Sequence, residues 1–231
     1  MSYRIETKFP VAFESLDHLH PFGTIRDNHS NSVFIDSLIN LMNSRNNVFS
    51  LKKIDKKFPF NLLDIGCSGG GFVKEINSKN VNSIGVEGSD ISQKMKRAEW
   101  ATIPERLFTC DATKPFTIYQ NEEKMLFDVV TAWEFFEHIE KDDLPGVMNN
   151  INSFTNKGAV LICSVSNFPS PHDGVELHRT REDKEWWLSF FKEHNYERDA
   201  NIELYFNNQW VRWGTYNFVL VKVQHVNKKG G

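Results

Sequence analysis

Carboxylates punctuate this chain at the ends of apolar runs. Asp64 lies in Asn61-Leu62-Leu63-Asp64-Ile65, Glu87 closes Ser83-Ile84-Gly85-Val86-Glu87, Asp111 falls near the end of the run 106–112, and Glu134 follows Phe127-Asp128-Val129-Val130-Thr131-Ala132-Trp133. After the first run comes Gly66-Cys67-Ser68-Gly69-Gly70-Gly71-Phe72. Glycines there let the backbone take positive φ and let a ligand approach without a Cβ in the way. A helix starting after such a turn offers unpaired N–H groups. The turn contains no basic residue, whereas a phosphate cradle would want a lysine, so a positively charged ligand carrying an amino group suits Asp64 better. Glu87 stands about 20 residues on, the spacing at which a carboxylate holds a ribose diol.

A second group is Glu134-Phe135-Phe136-Glu137-His138. If a helix begins at the strand end, positions 134, 137 and 138 share one face, and two carboxylates converge with an imidazole. Acids at a helix start are also favoured by the helix dipole alone, and any single strand-end Asp can be a simple cap.

Such residues need a sheet to bring them together. Four apolar runs ending in polar residues, with helical segments between them, describe an open parallel sheet whose ligand lies across the carboxyl ends of the strands. Ahead of it, Phe34, Ile35, Leu38, Ile39, Leu41 and Met42 recur at helical spacing behind the caps Asn31 and Ser32. Beyond the fourth strand, Leu144 to Phe154 reads as a helix and Ala159 to Val165 as a buried fifth strand. Thr180 with Asp183 resembles a capping box for a helix whose Trp186, Trp187, Phe190 and Phe191 form a core stripe. Ile202–Phe206 and Tyr216–Val223 alternate as an antiparallel edge pair. Residues up to about Arg26 read as irregular and the polar tail as disordered.

With 231 residues and 40% hydrophobic content the chain can bury one good core. A net charge of −3 carries no footprint of a general nucleic-acid binder and favours small or neutral substrates. The three cysteines, Cys67, Cys110 and Cys163, have no framework spacing and read as free buried thiols. The N-terminus has no signal-like apolar stretch and no run approaches membrane-spanning length, which points to a cytoplasmic protein without a membrane partner.

Asp64-Ile65-Gly66-Cys67-Ser68-Gly69-Gly70 resembles motif I of the class I S-adenosylmethionine (SAM) methyltransferases, Asp-x-Gly-x-Gly-x-Gly, with Ser68 in place of the middle glycine. A dinucleotide fold would show G-x-G-x-x-G instead, which leaves an NAD-dependent oxidoreductase a distant alternative. The resemblance covers about residues 55 to 225 and implies an α/β fold, a doubly wound, Rossmann-like seven-stranded sheet that is mostly parallel with an antiparallel C-terminal edge strand. It implies SAM as cofactor and S-adenosylhomocysteine as product, held by Asp64, Gly66, Cys67, Ser68, Gly70, Glu87, Gly88, Asp111, Ala112 and Trp133, with Asp111 on the adenine amino group. The expected organisation is an N-terminal extension over 1–55, a methyltransferase domain over 56–225 and a tail over 226–231.

No Asn-Pro-Pro-Tyr, Asp-Pro-Pro-Tyr or Pro-Cys sequence marks a base methylase. The spacing Glu134-x-x-Glu137-His138 is similar to the metal motif of small-RNA 3′-terminal 2′-O-methyltransferases and to one in ubiquinone-pathway O-methyltransferases. That likeness implies Mg2+ or Mn2+ on Glu134, Glu137, His138 and a downstream histidine, His178 in preference to His172. Without a metal, His138 is the candidate base. In this class the N-terminal extension commonly covers the cofactor, so Arg26, Asp27 and Asn28, with His172, are candidates to contact the acceptor, although a solvated loop would read alike. The chain is also similar to bacterial and viral sugar or glycan methyltransferases. The expectation is a SAM-dependent O-methyltransferase, monomeric or homodimeric, acting on a hydroxyl of a saccharide, glycan or other small polar metabolite. The alternatives are an RNA ribose 2′-O-methyltransferase and a non-catalytic SAM-binding protein.

Overall fold

The structure, a computed structural model, describes residues 1–49, 58–212 and 214–223. Its elements in chain order are β1 (Tyr3–Thr7), α1 (Leu16–Leu19), α2 (Ser32–Phe49), β2 (Asn61–Ile65), α3 (Gly71–Ser78), β3 (Asn82–Glu87), α4 (Ile91–Lys94), β4 (Leu107–Thr109), β5 (Phe116–Gln120), β6 (Glu123–Lys124) and β7 (Phe127–Trp133). There follow α5 (Leu144–Ser153), β8 (Thr155–Val165), β9 (Pro171–His172), β10 (Val175–Glu176), α6 (Lys184–Glu193), β11 (Tyr196–Arg198), α7 (Ala200–Tyr205) and β12 (Tyr216–Lys222).

Seven of the strands form one sheet in the order β11-β12-β8-β7-β2-β3-β4. The five from β8 to β4 run parallel, while β12 is antiparallel to both β8 and β11. Both faces of the central strands are covered, which is why β2, β3 and β7 are nearly continuous runs of buried residues. One face packs on Phe136, Leu144, Met148, Trp187 and Phe191, the other on Phe34, Leu38, Phe72 and Phe206. The aromatic stripe of α6 is core, as its spacing predicts, with Trp187 and Phe191 fully buried.

Several boundaries differ from the sequence expectations for identifiable reasons. Ile202–Phe206 is not a strand: Asp199 accepts hydrogen bonds from the N–H groups of Asn201 and Ile202 and starts α7, so the antiparallel partner of β12 is the short strand β11. Thr180 does not cap α6. Its hydroxyl donates to Ile139 O, and Asp183 is the cap, accepting from Trp186 N at 2.8 Å. The third strand stops at Thr109 because the Asp111 N–H donates to Phe9 O rather than to the ladder. The N-terminal residues are not irregular throughout: Tyr3 and Ile5 face the core while β1 pairs with β5 beside β6 in a separate small sheet. The expected tail over 226–231 lies outside the described residues. Cys67, Cys110 and Cys163 are free and buried, and among the described residues no helix is long and apolar enough to cross a membrane.

The Asp183→Ala variant is expected to lose about 1 kcal/mol of stability, the usual worth of an N-cap side chain. Urea unfolding with an unchanged slope and a lower midpoint would register that loss; an unchanged midpoint would show that α6 is capped elsewhere.

Candidate active site

Strand order reverses at β2, which leads to β3 and β4 on one side and is flanked by β7 and β8 on the other. Ligand crevices form at the carboxyl ends of the strands at such a switch point. A cavity of about 350 Å³ lies there, walled by the ends of β2 (Ile65, Gly66), β3 (Val86 to Gly88) and β7 (Trp133, Glu134), with Cys110 to Ala112 just past β4. Residues 12, 14–17, 23, 24 and 27 of the N-terminal segment close it from above.

Gly66 takes φ +75° so that β2 can turn, and Gly70 takes φ +84° as the residue before α3. Between them Ser68 adopts φ +46°, a conformation serine populates at a cost. The Ser68 N–H donates to Glu87 Oε2 at 2.8 Å, and Glu87 Oε1 accepts from Ser89 N at 3.2 Å. Burial raises the Glu87 carboxyl above its ordinary range, against the pull of these N–H groups. Asp111 Oδ1 accepts from the N–H and hydroxyl of Thr113.

Of the residues expected at the cofactor, Gly66, Ser68, Glu87, Gly88, Asp111, Ala112 and Trp133 line the cavity. Asp64, Cys67 and Gly70 stand outside its lining. Asp64 is buried opposite Thr131 in the β2–β7 register, and the Thr131 hydroxyl donates to it at 2.6 Å. Burial pushes the Asp64 carboxyl up to about 7, opposed by the Thr131 hydrogen bond and reinforced by the charges of Asp27 and Glu87. The Cys67 thiol packs in the space above Gly85, where a Cβ would meet the sulfur at 2.7 Å.

At the other end of the cavity the helix expected after β7 is only a single 3-10 turn, Phe136–His138. Glu134 precedes it with φ +50°, so helical spacing does not apply and Glu134 leaves the group it was expected to join. Its Oε1, buried without a hydrogen-bond partner among the described residues, packs against Gly214, which has no room for a Cβ. Glu137, His138 and His178 do come together, with ligand-capable atoms within 4.8 Å of one another. Glu137 is fully buried; Oε1 accepts from Ser166 N at 2.7 Å and Oε2 has no hydrogen-bond partner among the described residues. Burial, and then the charge of Glu134, raise its protonation range.

His138 Nδ1 lies 3.1 Å from Asp17 Oδ1. Burial alone would lower the imidazole pKa, but the close contact and charge of Asp17, followed by the charges of Glu137 and Glu134, outweigh it and raise it to about 9. The His178 ring stands edge-on to His138 at 4.8 Å and its Nδ1 donates to Phe168 O at 2.6 Å, while burial and the neighbouring His138 lower its pKa. A neutral His178 with Nε2 available follows from that arrangement.

The remaining acceptor candidates divide. Asp27 is on the cavity wall, 3.6 Å from Arg212. Arg26 and His172 are not: both pack on the Phe22 ring, at 4.1 and 4.0 Å. Asn28 sits against Gly69 and Gly71 rather than in the cavity. Asp17, Thr131 and Arg212 escaped the sequence reading; Asp17 meets His138 only through the way the N-terminal segment folds back.

A group whose folded pKa is raised adds stability below its unfolded pKa and loses it as pH climbs through the folded value. For Asp64 that window runs from its ordinary carboxylate range to about 7. Asp64→Asn should therefore flatten the fall in unligated stability across this window, measured by urea unfolding at a series of pH values. A slope identical to that of the parent protein would refute the burial account.

No curated protein matches the chain. Among solved structures, a SAM-dependent methyltransferase from Clostridium acetobutylicum is 17% identical, with 90% of this chain and 98% of that chain covered and a TM-score of 0.57. The sugar N-methyltransferase KedS8 from Streptoalloteichus is 13% identical over 89% and 92% of the two chains, TM-score 0.56. CalS10, an amino pentose methyltransferase from Micromonospora echinaspora solved with SAM, is 13% identical over 82% and 92%, TM-score 0.52. At such identities the likeness is one of fold. A family model described as a methyltransferase domain matches residues 12–208, most of the length, and the chain belongs to that methyltransferase family.

Proposed function

We propose that the chain is a SAM-dependent O-methyltransferase acting on a hydroxyl of a saccharide, glycan or other small polar metabolite. The observation that carries this reading is one cavity with desolvated carboxylates at the sheet edge and an imidazole–carboxylate pair, His138 with Asp17, at its far side. The acids suit SAM: a sulfonium beside them would relieve the cost of burying negative charge, and Glu87 and Asp111, both on the cavity wall, would meet diol and purine. SAM would supply an electrophilic methyl and leave as S-adenosylhomocysteine. What the chain must add is alignment of the acceptor oxygen and a place for its proton. His138 takes that proton and Asp17 steadies the imidazolium that results.

The polar wall, in which Lys114 is paired with Asp143 and Arg179 with Glu140, leaves little free positive charge. It supports a small polar acceptor over RNA, whose phosphates need unpaired cations. Two of the similar structures act on sugars, an amino pentose in one case. The same reading places the protein in the cytoplasm as a monomer or homodimer. Release of S-adenosylhomocysteine in a turnover assay would exclude a non-catalytic role.

A metal-assisted form rests on the cluster of Glu137, His138 and His178, one carboxylate and two imidazoles, a donor set that suits Mn2+ and, less well, Mg2+. A cation there would acidify a bound hydroxyl. Turnover that EDTA abolishes and Mn2+ restores, and that Glu137→Gln removes, is the expected mark of this form; turnover indifferent to EDTA dismisses it.

For His138 as base, the imidazolium must first shed its proton, so kcat/KM should rise with pH through a midpoint near 9, set by the unligated enzyme, towards a plateau above it. Asp17→Asn removes the charge that holds the proton and should move the midpoint down by about 1–3 units. His138→Gln should lower kcat by roughly 10²–10⁴-fold. A flat pH profile with a fully active His138→Gln variant would overturn the assignment.

A further inference from the structure

Ser68 holds a left-handed backbone conformation that glycine would take freely. Every polar group of the residue is engaged. Its N–H donates to Glu87, its carbonyl accepts from Trp100 Nε1 at 2.7 Å, and its hydroxyl lies 2.8 Å from Thr24 O and 3.0 Å from Asp27 O. A strained residue so over-determined by its surroundings points to a task that the strain serves.

Arg97 works on the same two carbonyls. Its Nη2 lies 2.5 Å from Thr24 O, 2.8 Å from Asp27 O and 3.0 Å from Ser68 Oγ, while its Nε donates to Ser92 Oγ at 3.1 Å and so fixes the guanidinium. The segment carrying those carbonyls, residues 23–28, presses closely on the glycine turn. A Cβ on Gly69 would collide with the Asn28 side chain, and one on Gly71 would lie 2.5 Å from Asn28 O. Asn28 also lies beside Glu99, whose N–H donates to Gly69 O. The bare glycines of this turn thus seat the covering segment. Gly23, Thr24 and Asp27 of that segment are cavity wall.

We infer that Ser68 and Arg97 are positioning residues that latch segment 23–28 onto the glycine turn, and that this latch sets how long the nucleoside cofactor stays bound. The inference rests on the SAM reading of the cavity. Neither side chain needs to touch the reacting atoms. Each acts through the segment, and Ser68 in the middle glycine position is what gives the turn a hydroxyl to grip with.

The test uses the full chain and S-adenosylhomocysteine as probe. Ser68→Gly removes the hydroxyl while relieving the backbone, so its thermal midpoint should equal or exceed that of the parent. Arg97→Gln removes the second prong. In both variants the dissociation rate of S-adenosylhomocysteine, followed by stopped-flow tryptophan fluorescence, should rise by about tenfold, the equivalent of one to two hydrogen bonds. Tryptic cleavage after the exposed Arg26 should quicken in parallel. A folded Ser68→Gly protein that releases the probe and is cleaved at parental rates would overturn the latch. Failure of the parent protein to bind the probe in calorimetry would instead remove the cofactor reading, and the latch with it.

Discussion

Carboxyl groups held at the dry edge of a parallel sheet, with few donors to meet them, are the constraint around which this molecule is arranged. Asp64, Glu87 and Glu137 are almost fully buried, and burial raises the protonation range of each. The fold offsets the cost with the few donors it can bring: a threonine hydroxyl on Asp64, main-chain N–H groups on Glu87, a single N–H on Glu137. Those donors leave the acids short of full compensation, since among the described residues Glu137 Oε2 and Glu134 Oε1 have no hydrogen-bond partner. A site in that condition gains most from a ligand that arrives positively charged.

Much of this was legible in the chain itself. The runs ending at Asp64, Glu87 and Trp133, and the glycines between the first two, announced a parallel sheet with its crevice at the strand ends, because the periodicity of buried strands and the punctuation of glycine are local properties. The acceptor side was not legible to the same degree. Grouping Glu134 with Glu137 and His138 assumed a helix, and one residue at positive φ was enough to separate it from them. Asp17 lies far from His138 in sequence and meets it only through the way the N-terminal segment folds over the sheet. Ile202–Phe206 alternates like a strand, yet the two N–H groups captured by Asp199 decide for a helix.

The glycine-rich turn carries two demands at once. Its positive-φ positions let the chain leave β2 and enter α3, which is the service expected of it from sequence. Its other glycines are bare because Asn28 and the main chain of Asp27 come down on them. Glycine in such a motif therefore reports on whatever approaches the backbone, and here part of what approaches is another portion of the same polypeptide.

The pairing of β1 with β5 has a mechanical corollary. Residues 3–7 are stitched to 116–120 on one flank of the cover, and α2, whose Phe34, Ile35 and Leu38 are fully buried, moors it on the other. The cover is a bridge fixed at both abutments, not a free arm. Between those moorings the span is pinned again, where the N–H groups of Ala12 and Asp111 donate to Gly88 O and Phe9 O and where Ser68 and Arg97 hold Thr24 O and Asp27 O, so the cover stands on piers along its length.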